Sequence, residues 1–334
     1  MRPPTCLVAA LIVVTLVAVA PPASLAAEAP VFNTIRVQGK NYVNLADFVR
    51  FNEFDGNWLQ AGMDITLKAK YKRLELQLGS RECLVNGVRI WLNEAPLEYR
   101  NSILLPETDI RKALNPVLRP WAVPEMKVKT IMIDPGHGGE DRGTQGSSKS
   151  TEKRLTLDMA ARLEKLLKQA GFRTLMTRRT DSYVSLEDRS ELSNASEADL
   201  FVSLHFNSAK PDSKPNGIET YCLTPVGFTS TGFIGQRLGI GKFAEEPGNS
   251  QDQNNMLLAY SIQQKLLEAV PEAEDRGIKR ARFYVIKATE RPAVLVELGF
   301  LSNPVEEKRI LSSLYRDRLA KGILEGIRKY AEFM

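Results

Sequence analysis

Histidine is almost missing from this 334-residue chain: there are two, His137 and His205, beside three cysteines and three tryptophans. With Cys6 in the first apolar run and Cys83 and Cys222 far apart, cysteine offers no disulfide framework. Past the first 20 residues there is no uncharged apolar run approaching the ~20 residues that a membrane-spanning helix needs. Charge of one sign is scarce as well. A formal net charge of +5 is what solubility alone asks for, and it leaves no basic stripe of the kind that nucleic acid binding requires. What is present is ordinary: 43% hydrophobic and 25% charged residues, the balance of a folded globular chain rather than a disordered or fibrous one.

The N-terminus departs from that balance. Arg2 is followed by an uncharged apolar run from Cys6 to Ala20 and by Ser24-Leu25-Ala26, with small residues at its two ends, the pattern of a secretory signal over residues 1–26. The apolar core is too short to span a bilayer, and no cysteine follows it to carry a lipid. Export to a periplasm or the cell exterior is therefore expected, with no stable membrane insertion once the signal is gone. Its removal takes away Arg2 alone, so the charge falls from +5 by one to +4.

A chain of this length has room for two domains. Residues 28–120 predict short strands separated by turns, clearest at 34–37, 65–67, 74–78 and 88–92. Asn86-Gly87 between Val85 and Val88 is a two-residue hairpin signal, because both turn positions need positive φ. Leu74, Leu76 and Leu78 alternate as in a sheet with one buried face. This predicts a small β-rich α+β domain. The prolines from Pro116 to Pro124 mark a boundary, placed at 121–128.

From residue 129 to 334 strands alternate with helical patterns, which predicts an α/β domain: a mostly parallel sheet flanked by helices. Strands are expected at 130–133, 173–177, 200–204, 218–223, 283–286 and 294–296. Leu155, Met159, Leu163, Leu166, Leu167 and Ala170 fall on one face of a helix that stops at Gly171. Further helices are expected at 185–196, 255–269, 306–313 and 315–333. Between Pro225 and Asn254 the periodicity is lost and glycines accumulate, so the segment is either a surface insertion or a stretch that lines or gates a site.

The chemistry concentrates at strand ends. His137 follows the first strand of the larger domain inside the glycine-rich Asp134-Pro135-Gly136-His137-Gly138-Gly139, and His205 ends the apolar strand Leu200 to Leu204. In an open parallel sheet such ends line the ligand crevice, so the only two imidazoles of the chain could meet on one ion. Imidazole suits zinc, and two histidines with one carboxylate are a common catalytic set. Glu152, Glu140 and Asp141 are all near enough in sequence to supply the carboxylate. A second carboxylate is needed as base, and Glu297 closes the apolar strand from Ala293 to Val296 at the same edge.

At this point residues 129–333 resemble the catalytic domain of zinc-dependent N-acetylmuramoyl-L-alanine amidases of the type 3 family. The match runs through Ile133 to Gly139, Glu152-Lys153, Ser203 to Asn207, Gly217 to Tyr221 and Val294 to Asn303. The resemblance implies His137, Glu152 and His205 as ligands of a single Zn2+ and Glu297 as the catalytic residue. It implies hydrolysis of the amide between the lactyl group of N-acetylmuramic acid and L-alanine of the peptidoglycan stem peptide, by zinc-activated water. Asp134 and Asn207 are expected as supporting or substrate-contacting residues, Asp134 either orienting His137 or bracing its turn. Residues 28–120 resemble, more loosely, the small domain first named from the N-terminus of copper amine oxidases, through Tyr42 to Leu45, Leu78 to Ser80, Val85 to Gly87 and Ile103 to Pro106. Peptidoglycan is the implied partner.

Overall fold

The computed structural model describes residues 32–56, 59–231 and 244–334. The expected signal, residues 1–26, and the middle of the glycine-rich segment lie outside the described residues. No described helix is long and apolar enough to cross a membrane.

The described residues before 120 contribute strands to two sheets. Strands β1 (Thr34–Val37) and β2 (Lys40–Asn44) lead into helix α1 (Leu45–Phe51), which Asn44 caps by accepting the Ala46 amide at 2.9 Å. An antiparallel run follows: β3 (Leu59–Ala61), β4 (Asp64–Ala69), β5 (Lys72–Gln77), β6 (Glu82–Val85) and β7 (Val88–Trp91). The Asn86-Gly87 turn between β6 and β7 has the expected positive φ at both residues, +49° and +82°. Leu74, Leu76 and Leu78 are buried, as their alternation predicts. Strands β8 (Leu97–Tyr99) and β9 (Ser102–Pro106) close the small sheet in the order β1-β2-β9-β8. Two short helical pieces, α2 (Glu107–Asp109) and α3 (Asn115–Leu118), flank a π-turn at Ile110–Leu114. The stretch expected to link the domains is packed: a 3-10 turn occupies Pro120–Ala122, and Leu118 and Val123 on either side of it are both buried.

The larger part follows the alternating pattern: β10 (Thr130–Pro135), α4 (Glu152–Gln169), β11 (Arg173–Met176), α5 (Leu186–Asn194), β12 (Leu200–Asn207), β13 (Ile218–Leu223), α6 (Asp252–Ala269), β14 (Asp275–Ala281), α7 (Tyr284–Lys287), β15 (Ala293–Phe300), α8 (Pro304–Leu311) and α9 (Ser313–Ala331). Its sheet runs β11-β10-β12-β15-β13-β14, parallel except where β13 meets β15 antiparallel. The two parts share a sheet. Ile90 of β7 pairs with Ile278 of β14, and the order continues β14-β7-β6-β5-β4-β3.

Burial on both faces explains the central strands. Every residue of β10 is buried, and β12 and β15 are nearly so, because α4, α6 and α9 cover one face while α5 and α7 cover part of the other. On α4, Leu155, Met159, Leu163 and Leu167 form the buried stripe, Leu166 is half-buried, and Ala170 is exposed. Gly171, at φ +91°, ends the helix.

Two expectations are corrected. Residues 283–286, expected as a strand, form the start of α7, whose Val285 and Ile286 plug the second apolar cluster. A short apolar run carries no periodicity that separates strand from buried helix. Strand β14 was not anticipated, because Asp275-Arg276-Gly277 and Lys279-Arg280 hide it among charges. In addition, His205 and Glu297 lie within β12 and β15 rather than beyond their ends.

Candidate metal centre and its surroundings

Side chains alternate along a strand, so Ser203, His205 and Asn207 share the face of β12 that looks toward α5 and α7. That helical layer covers Phe201, Leu295 and Tyr221 and stops there. Beyond it the register sets His205, Glu297 and Glu219 side by side across β12, β15 and β13.

Glu152 arrives as the first residue of α4, where the helix dipole favours a carboxylate. Its Oε1 lies 3.1 Å from His137 Nε2 and 3.0 Å from His205 Nδ1, and the three donor atoms fall within 4.8 Å of one another. Backbone amides fix the carboxylate: Thr144 donates to Oε2 at 2.8 Å and Phe206 to Oε1 at 3.1 Å. The rings of His137 and His205 stand 5.0 Å apart and nearly perpendicular, at 78°. Glycines make the space. A Cβ on Gly136 would sit 2.2 Å from His205 Cε1, and one on Gly143 would sit 2.6 Å from Glu152 Oε2.

The arrangement suits a cation. One carboxylate oxygen faces two imidazole nitrogens, and only a proton or a metal ion between them makes all three favourable neighbours. Burial would raise the Glu152 carboxyl, but the two imidazoles outweigh it and hold the group well below the ordinary carboxylate range. Asp141 accepts from His137 at Nδ1, 2.8 Å away, so the Nε2 that faces Glu152 carries a lone pair when the ring is neutral. Glu140, like Asp141, is exposed, and of the three acidic candidates only Glu152 joins both histidines.

Glu297 stands beside this cluster. Its Oε2 is buried and has no hydrogen-bond partner among the described residues. Burial first, then the charges of Glu152 and Glu219, push its carboxyl well above the ordinary value, with Lys279 opposing. A buried carboxyl with an unpartnered oxygen is the kind of group that can exchange a proton with a neighbouring molecule.

Of the two roles open to Asp134, its contacts favour bracing the turn. Asp134 is buried and accepts from Thr177 at 2.6 Å, Arg189 at 2.5 Å and Ser203 at 2.7 Å, so it reaches the His137 loop through Arg189 instead of the imidazole. Arg189 donates to the carbonyls of Pro135 and His137, and Arg178 to those of Pro135 and Gly136. Asn207 donates to Glu219 at 2.7 Å. Glu219 is itself buried and also accepts from Tyr221, Arg276 and Lys279. None of Arg178, Arg189, Arg276 or Lys279 stood out in the sequence. Arg178 alone carried a signal, since it follows a strand at the same sheet edge.

The chain has relatives among known proteins. The probable cell wall amidase LytH of Staphylococcus epidermidis is 35% identical over 207 residues, 61% of this chain and 59% of that protein. This chain thus matches somewhat under two thirds of that relative's length. Among solved structures, an N-acetylmuramoyl-L-alanine amidase from Clostridium difficile 630 is 34% identical with a TM-score of 0.50, covering 62% of this chain and 98% of that one. The catalytic domain of CwlV, an N-acetylmuramoyl-L-alanine amidase from Bacillus (Paenibacillus) polymyxa var. colistinus, is 32% identical with a TM-score of 0.51, covering 62% and 100%. Residues 131–329, more than half of the chain and the whole of the site just described, match the N-acetylmuramoyl-L-alanine amidase family, and the chain belongs to it.

Proposed function

We propose that this protein is an exported zinc hydrolase of peptidoglycan that cleaves the amide between the lactyl group of N-acetylmuramic acid and L-alanine of the stem peptide. The observation that carries the proposal is the unpartnered Glu297 carboxylate oxygen beside the His137, Glu152 and His205 donors. Residues 129–334 form the catalytic part in this reading, and residues 28–120 the accessory part.

His137, Glu152 and His205 would hold one zinc ion, a set of two imidazoles and one carboxylate that leaves a coordination position open. When bound, the ion supplies Lewis acidity toward the amide carbonyl and acidifies water. Glu297 takes the proton of the attacking water as its oxygen bonds to the lactyl carbonyl carbon. It then hands that proton to the alanine nitrogen as the carbon–nitrogen bond breaks, leaving a free L-alanine amine and a lactyl carboxyl group whose remaining proton passes to the amine or to solvent. Asp141 holds the His137 tautomer, and the Thr144 and Phe206 amides hold Glu152.

The purified mature protein, incubated with peptidoglycan, is expected to release stem peptides bearing a new L-alanine amine by mass spectrometry, to stop with a chelator, and to resume with zinc. A new amine on the sugar or on another stem residue would make it a different wall hydrolase. Binding without release would make it a wall-binding protein.

A further inference from the structure

Strand β14 carries one residue more than β13 where the two begin to pair. Ile218 lies opposite Asp275 and Glu219 opposite Gly277, so Arg276 between them is the extra residue of a β-bulge. Side chains alternate along a strand, and a regular β14 would turn Arg276 away from the face that carries Glu219 and Glu297. The bulge, with Gly277 at φ +82°, re-aims it, and Arg276 Nε donates to Glu219 Oε2 at 2.8 Å.

Strand β7, from the accessory part, closes on this bulge from the other side. A bulged residue lies outside the ladder, and here the half-buried Trp91 donates its indole N–H to the Arg276 carbonyl at 3.0 Å. The Arg89 amide donates to the Asp275 carboxylate at 2.8 Å, and that carboxylate also accepts from the Gly277 amide at 2.9 Å and from Gln263 at 2.8 Å. The approach is close, since a Cβ on Gly277 would sit 2.8 Å from the Arg89 carbonyl oxygen. Just past the bulge Ile90 pairs with Ile278. The backbone on both sides of Arg276 is thus held by β7.

We propose, resting on the amidase reading, that Trp91 is a positioning residue for the reaction, acting through Arg276 and Glu219 on Glu297. Glu219 is buried and lies in register beside Glu297, one strand spacing of about 4.8 Å away. Its Oε1 accepts from Asn207 and Tyr221, both at 2.7 Å, and its Oε2 from Arg276 and Lys279. With these donors in place both oxygens are engaged, and Glu297 Oε2 keeps no partner among the described residues. Loss of the Arg276 bond leaves Glu219 Oε2 to Lys279 alone. The Glu219 carboxylate can then shift along the row, and the neighbouring Glu297 carboxyl shifts with it. The indole of Trp91 prevents this by fixing the backbone from which the Arg276 side chain departs.

The test uses the zinc-loaded full chain and a soluble muropeptide. Trp91→Phe keeps a ring in place and removes the donor, and it should lower kcat about three- to tenfold, the worth of one hydrogen bond, with KM and zinc content unchanged. Arg276→Met should lower kcat further, and the double variant should be no slower than Arg276→Met alone, because Trp91 acts only through Arg276. A merely structural Trp91 would lower the melting temperature and leave kcat per folded, zinc-loaded chain intact. That result, a change confined to KM, or losses that multiply in the double variant overturns the proposal. Exchange of the Arg276 Nε–H with water, followed by NMR of arginine-labelled protein and assigned by its absence in Arg276→Met, does not need turnover. It should be at least about threefold faster in Trp91→Phe, and unchanged exchange likewise overturns the proposal. Faster exchange with no hydrolysis by the wild type would retain the link from β7 to Glu219 and remove the amidase reading.

Discussion

His137 holds φ at +62°, in the left-handed region that a residue with a Cβ enters at a cost of about 1–3 kcal/mol. Arg178 and Arg189, both buried, grip the carbonyls on either side, and Asp134 balances the charge of Arg189. The strained backbone presents the imidazole to Glu152 and leaves Asp141 on its far nitrogen. Gly136 is the tightest point of the same loop. With an alanine there, the new Cβ would meet the His205 ring at 2.2 Å, and the ring would have to leave the position in which it is proposed to bind the ion. Gly136→Ala is therefore expected to keep the far-UV circular dichroism of the wild type and to lose at least about tenfold in zinc affinity, measured by competition with a chromophoric chelator. Unchanged affinity would mean that His205 is not a ligand.

Between β10 and α4 the chain runs through Gly143 to Thr151, and its course decides where Glu152 stands. Glu307 of α8 fastens that loop: its carboxylate accepts from the amides of Ser147 and Ser148 at 2.9 and 3.0 Å and from the hydroxyls of Ser147, Ser148 and Ser150. Burial would raise its carboxyl, but these donors bring it from the ordinary 4.5 to about 2. A carboxylate with a lowered pKa in the fold stabilises fully above its unfolded value, and that contribution fades as pH falls from 4.5 toward 2. Glu307→Gln should thus cost on the order of 2 kcal/mol at pH 7 and much less at pH 3, read by urea unfolding of the metal-free proteins. An equal loss at both pH values would show that the bonds, not the charge, matter. The elements themselves were legible in uneven measure. Strands β10, β12 and β15 announce themselves because burial on both faces makes them continuous apolar runs, and their ends pointed to His137, His205 and Glu297. Strand β14 gives no such sign, since Arg276, Lys279 and Arg280 spend their charges on Glu219 and on backbone carbonyls. Periodicity cannot report a partner two strands away, which is why the Glu219 network was out of reach.

At the scale of the molecule, the accessory part is joined to the catalytic sheet by more than the linker. Beyond the pairing of Ile90 with Ile278, the Arg89 amide donates to Asp275 at 2.8 Å and Tyr260 donates to the Val85 carbonyl at 3.2 Å. Lys112 pairs with Asp252 at 2.6 Å, while Arg280, almost fully buried, donates to the Lys112 carbonyl. The Trp91 indole holds Arg276, whose side chain bonds Glu219 beside Glu297, so two residues separate the N-terminal part from Glu297. Composition marked two units by their rhythm, but the edge-to-edge pairing of Ile90 with Ile278 leaves no trace in either rhythm. In the proposed reading the labour of the site is divided: His137, Glu152 and His205 would hold one metal ion and Glu297 would move the proton. Metal content by inductively coupled plasma mass spectrometry, taken with peptide release from peptidoglycan, separates these roles in two variants. Glu297→Gln should keep one zinc per chain and lose at least about a hundredfold in rate, whereas Glu152→Ala should lose both zinc and activity. Turnover retained in Glu297→Gln, or full zinc retained in Glu152→Ala, would contradict the account.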